Sequence, residues 1–160
     1  MKAFELVDLC LHTEDLGRLD VALWDGDDGE GGEGVEPVEL PEGTVISVGL
    51  TFRLGRDIDG LTFEETRVRD GTVVSTARTV LGGFRTGGPY EVRLPAERLP
   101  LGRAHCGVYV VTSRFTDGAG DGLLTLRHRM RLVPQPAPHP ATDPPAGEGA
   151  APGSGPTSKV

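Results

Sequence analysis

Three acidic or glycine-rich clusters have the residue types for chemistry. Residues 117–122 read DGAGDG, residues 57–65 read DIDGLTFEE, and residues 82–88 read GGFRTGG. An EF-hand calcium loop needs oxygen ligands at alternate positions, a glycine at the sixth and a carboxylate at the twelfth. Neither acidic cluster has that ladder, and in 57–65 the glycine falls at the fourth position. A phosphate-cradling glycine loop ends in Gly-Lys-Ser/Thr, and 82–88 has no lysine. The first reads better as a turn, with glycines supplying positive φ and aspartates facing water, and 82–88 as a loop. His12, His105, His128 and His139 show no ligand spacing, and no GxSxG elbow is present. Cys10 and Cys106 form no CxxC pair and read as reduced, mostly buried thiols. These residues imply a non-enzymatic protein that uses no cofactor and no metal.

Such residues must be positioned by something, and composition bounds it. The 160 residues suffice for one domain. A net charge of −8 argues against nucleic acid, which needs a positive footprint. The charge is local: residues 25–42 hold eight of the 24 carboxylates (Asp25, Asp27, Asp28, Glu30, Glu33, Glu36, Glu39 and Glu42) and no Lys or Arg. This segment reads as a solvated loop or as a docking site for a basic protein partner. No run approaches the ~18 apolar residues of a membrane span, and Glu5 and Asp8 interrupt the start where a signal peptide would be apolar. The expectation is a cytoplasmic protein without stable membrane insertion. Residues 134–160 hold eight of the thirteen prolines and bury too little to offset ordering, so they read as a disordered tail after a domain at 1–133.

Within 1–133 the period is two. Residues 44–54 place Ile46, Val48, Leu50, Phe52 and Leu54 on one side; residues 122–132 place Leu124, Leu126, His128, Met130 and Leu132 inward, with Arg127, Arg129 and Arg131 in water. Residues 107–115 put Tyr109, Val111 and Phe115 on one face. Further strands are predicted at 2–12, 18–24, 35–40, 61–68, 72–81 and 90–94. About nine short strands split by Gly, Pro and Asp imply an all-β sandwich of two antiparallel sheets. His128, at an inward strand position, reads as a core or pocket histidine.

The order of these strands carries a resemblance. GVYVVTSRFTD at 107–117, followed by an acidic turn and a strand with large residues at alternate positions, resembles the last hairpin of the Rho GDP-dissociation inhibitors. YEVRLPAERLPLGRAHCG at 90–107 and LPEGTVISVGLTFRLGRDIDGLTFEETRVRDG at 40–71 resemble that family's preceding strands, with one residue deleted around Asp59. The resemblance spans about 35–132. It implies an immunoglobulin-like sandwich that holds a geranylgeranyl group between its sheets, without the family's N-terminal arm. By the same resemblance the pocket is lined by Ile46, Phe52, Ile58, Val68, Tyr109, Val111, Leu126, His128 and Met130, with Cys10 and Val38 beside them. His128 stands where the family has a tryptophan, and Leu126 and Val68 also replace aromatics. The implied partner is a prenylated or otherwise lipidated protein, or a free isoprenoid.

Overall fold

The alternation of residues 45–54 is realised as strand β4 (Val45–Leu54), whose Ile46, Val48, Leu50, Phe52 and Leu54 are all buried. The computed structural model describes residues 2–26 and 34–136. Its other strands are β1 (Phe4–Thr13), β2 (Gly17–Asp20), β3 (Val38–Pro41), β5 (Ile58–Arg69), β6 (Thr72–Phe84), β7 (Gly87–Arg93), β8 (Glu97–Arg98), β9 (Gly107–Thr116) and β10 (Gly122–Val133), with a 3-10 turn at Arg103–His105. One sheet runs β2-β1-β4-β7, with β8 pairing the start of β4; the other runs β3-β10-β9-β5-β6. The expected two-sheet sandwich is the observed architecture. Pairing is antiparallel apart from β3 and β10, where Val38–Pro41 lie parallel to Met130–Val133. Hairpin connections enforce antiparallel neighbours, and β3 reaches β10 from a distant part of the chain, so nothing dictates that direction.

The expected strand at 18–24 is cut short, and a short one is added that was not expected. The segment at 18–24 leaves β1 after Asp20, and Trp24 instead forms an isolated bridge with Arg127 of the opposite sheet, with N···O distances of 2.9 and 2.8 Å. Arg127 and Arg129, expected in water, are thereby half-buried, and the Arg129 guanidinium lies 4.8 Å from the Trp24 ring centre. The two-residue β8 is too short to show any alternation. The predicted tail lies outside the described residues beyond Gln135 and Pro136.

Bulges decide which residues face inward. In β1 the register slips between Leu6 and Asp8, so burial passes from Phe4 to Leu9 and Leu11, while Cys10 shares the opposite face with its partner Gly49. In β5 the register slips between Ile58 and Leu61, where Gly60 takes φ 65°. Leu61, Phe63, Glu65 and Arg67 then follow Ile58 on the inner face. An inserted residue in a strand of period two exchanges its faces from that point on.

The core is aromatic at one end. Phe4 lies 5.4 Å from Phe52 of its own sheet and 4.7 Å from Phe115 of the other, and Phe115 lies 5.1 Å from Phe63. Each such side chain, fully buried, contributes about 1.5–3 kcal/mol. The DGAGDG cluster closes the β9–β10 hairpin: the Asp117 Oδ1 accepts from the backbone N–H groups of Ala119 (2.9 Å) and Asp121 (3.0 Å). Asp57 works likewise, accepting from the Thr86 N–H at 2.8 Å and the Thr86 hydroxyl at 3.0 Å, and the backbone bond is the main cause of its lowered pKa. Both carboxylates are occupied in holding turns. Among the described residues no group of three or more His, Cys, Asp or Glu could hold a metal ion.

Candidate functional site

Strands β10, β9 and β5 lie side by side, so their cross-strand partners form transverse rows on the inner face. One row is Phe63, Phe115 and Leu124; the next is Glu65, Ser113 and Leu126; then comes Arg67, Val111 and His128; then Tyr109 and Met130, beside Val38. The first row is packed against the aromatic core. The second and third carry an acidic, a basic, a hydroxyl and an imidazole group inside a sandwich, which an ordinary core does not require.

The charged members meet the opposite sheet. Glu97 in β8 pairs with Ile46 of β4 and so points between the sheets. Arg67 donates from Nη1 and Nη2 to its two carboxylate oxygens at 2.8 and 2.7 Å, a planar two-point contact. The same guanidinium meets Glu65 Oε1 at 2.8 Å. Burial disfavours the Arg67 charge, but the Glu97 hydrogen bonds and the Glu65 charge more than offset this and leave its pKa raised. Burial pushes the Glu65 carboxyl upward against the pull of Arg67.

This bridge stands between two openings along the β6 side of the sandwich. One, of about 280 Å³, is walled by Ile46, Val48 and Phe63 with Ala77 and Thr79 of β6, and ends at Glu97. The other, of about 520 Å³, lies beyond Arg67 and Glu97, over Tyr109, Met130 and Leu132, with Val74 of β6 on one side and Pro100 on another. β6 permits the openings because it is an edge strand with most of its residues exposed, Val73, Val74 and Val80 among them.

The residues expected to line a pocket therefore separate. Ile46 borders the smaller opening, and Tyr109 and Met130 floor the larger. Phe52, Ile58 and Val111 are packed within the core at 0, 0 and 1% exposure. Leu126 is half-buried on the inner face. Val68 is on the outer face, paired with Val110, because the bulge at Asp59 and Gly60 brings Arg67 inward in its place. Cys10 is likewise turned away by the β1 bulge. It lies on the outer side of its sheet, its Sγ 3.4 Å from the His12 Nε2, in a shallow hollow of about 300 Å³ with Asp8, Arg18 and Arg93. Arg67, Arg69, Val74 and Glu97 belong to the site and were not legible as such; only the Asp-Gly of 59–60 signalled the bulge.

His128 and Ser113 are buried, and among the described residues His128 Nδ1 and Ser113 Oγ have no hydrogen-bond partner. Burial above all, with the nearby Arg67 charge, lowers the His128 pKa to about 4, so the ring is neutral at physiological pH. Of the acidic segment, Asp27, Asp28, Glu30 and Glu33 lie outside the described residues. Glu39 pairs with Arg131 at 3.1 Å, and Glu42 accepts from the Gly102 and Gln135 N–H groups at 2.9 and 3.2 Å. These two carboxylates serve the fold.

The class defined so far is an immunoglobulin-like sandwich open between its sheets along one edge. The family model of the RHO protein GDP dissociation inhibitors matches residues 5–133, and the chain belongs to that family of regulatory binding proteins. Among solved structures, the C-terminal domain of wzt is similar in fold, with a TM-score of 0.54 at 11% identity, over 83% of this chain and 75% of that one. No curated protein matches the sequence. No helix among the described residues is long and apolar enough to cross a membrane.

Proposed function

We propose that this protein carries the isoprenoid or other lipid chain of a lipidated protein, or a free isoprenoid, in the inter-sheet openings beside β6. The supporting observation is the contrast within one sandwich: aromatic packing fills one half, while a cavity of about 520 Å³ floored by Tyr109, Met130 and Leu132 opens in the other. That volume falls in the roughly 300–1,000 Å³ range of small-molecule sites. Burying a chain of about twenty carbons at ~0.8 kcal/mol per CH₂ offers at most roughly 16 kcal/mol toward extraction from a membrane. The family points to a prenylated Rho-type GTPase as the kind of partner, and the free thiols of Cys10 and Cys106 suit a reducing cytoplasm. Binding is non-covalent and needs no catalytic group.

The test uses a fluorescent geranylgeranyl-cysteine. Saturable binding at micromolar protein is expected, weakened at least about tenfold, or 1.4 kcal/mol, by Val74→Trp or Ala77→Trp. Both positions are exposed on β6, so an indole there fills an opening without entering the core. Absence of saturable binding refutes the carrier reading.

A further inference from the structure

The larger cavity is not uniformly apolar, and its charges do not balance. Arg67, Arg69 and Arg98 all border it, together with the single carboxylate of Glu97. Arg67 is satisfied by Glu97 and Glu65. Arg69 donates from Nη1 to the Tyr109 hydroxyl at 3.2 Å and to the Cys106 carbonyl at 3.4 Å, and its guanidinium lies 5.5 Å from the Tyr109 ring centre. Arg98 donates from Nη1 to the Gly43 carbonyl at 2.8 Å. Among the described residues neither Arg69 nor Arg98 makes an ion pair.

Two guanidiniums held by neutral acceptors have no carboxylate paired with them among the described residues to offset their charge. Each has N–H groups left for an anion, and guanidinium-to-anion hydrogen bonds are roughly twice as strong as neutral ones. The Tyr109 hydroxyl donates to the His105 carbonyl while accepting from Arg69, which fixes Arg69 at the wall. Behind these heads lie the apolar Met130 and Leu132. A cationic rim over an apolar floor fits a molecule with an anionic end and an apolar chain.

We infer that the larger cavity binds an amphiphilic anion, an isoprenoid or acyl chain ending in a phosphate, diphosphate or carboxylate, with Arg69 and Arg98 holding the anionic end. This inference rests on the carrier reading and adds to it a preference for charge at the chain's end. The anion could belong to a free lipid phosphate or to the terminal carboxylate of a lipidated peptide.

The experiment is competition against the fluorescent geranylgeranyl probe by geranylgeranyl diphosphate, geranylgeraniol, inorganic diphosphate and a geranylgeranylated peptide with a free or amidated C-terminus. Geranylgeranyl diphosphate is expected to compete at least about tenfold better than the alcohol, an advantage that shrinks as salt is raised. In Arg69→Gln with Arg98→Gln the advantage disappears while the alcohol competes as before; Arg69→Lys, which keeps the charge, retains part of it. A better free-acid than amidated peptide assigns the site to lipidated proteins as well; no difference between them restricts it to lipid phosphates. Equal competition by diphosphate and alcohol overturns the inference and leaves the carrier reading intact. Inorganic diphosphate competing as well as the lipid diphosphate also overturns it, because the chain then contributes nothing. If the probe itself does not bind, the carrier reading fails, and the inference with it.

Discussion

Acid should destabilise this protein through one imidazole. His128 is 3% exposed, its Nδ1 has no partner among the described residues, and its pKa falls from 6.5 to about 4 on folding. Between those values the unfolded chain binds a proton that the folded one excludes, so stability rises with pH across that window and is lost on acidification. At ~1.36 kcal/mol per pKa unit, the loss attributable to His128 is about 2 kcal/mol at pH 5 relative to pH 7, and approaches roughly 3 kcal/mol near pH 4. His128→Leu removes both the titration and the orphaned nitrogen, whose burial costs about 1–3 kcal/mol. The variant should be at least as stable as the parent at pH 7. Urea denaturation of both proteins at pH 7 and pH 5 measures the difference directly. Other groups cancel in the comparison, including Asp57 and Asp117 with lowered pKa and Glu65 with a raised one. Equal losses in parent and variant would refute the reasoning, since His128 would then not be held neutral by burial.

Two further perturbations address the fold and the bridge. Gly60→Ala places a Cβ 2.7 Å from the Gly118 Cα at a φ of 65°, and should cost about 1–3 kcal/mol in thermal or chemical denaturation; a neutral result would mean that β5 does not need this bulge. Glu97→Ala removes the two-point contact to Arg67. Because the Glu97 side chain is 48% exposed and Arg67 retains Glu65, the loss should be only about 1 kcal/mol. With the divider gone, probe association measured by stopped-flow fluorescence should quicken, and an unchanged rate would show that the bridge does not restrict entry.

The sequence by itself determined the two-sheet sandwich, because the alternation in β4, β9 and β10 is uninterrupted at its inward positions and leaves one arrangement that buries them. It also placed Tyr109 and Met130 facing the space between the sheets, and made the Asp117 cluster a turn. Tertiary structure decided the faces of β1 and β5, where a local bulge reverses every side chain after it, sending Cys10 and Val68 outward and Arg67 inward. It also decided the site. Arg67 and Glu97 stand thirty residues apart, on strands of different sheets, and nothing local requires them to meet. Packing density likewise has no local signature: Val111 and Tyr109 alternate identically along β9, yet one is sealed in the core and the other floors a cavity, because what covers each is supplied by other strands and not by β9 itself.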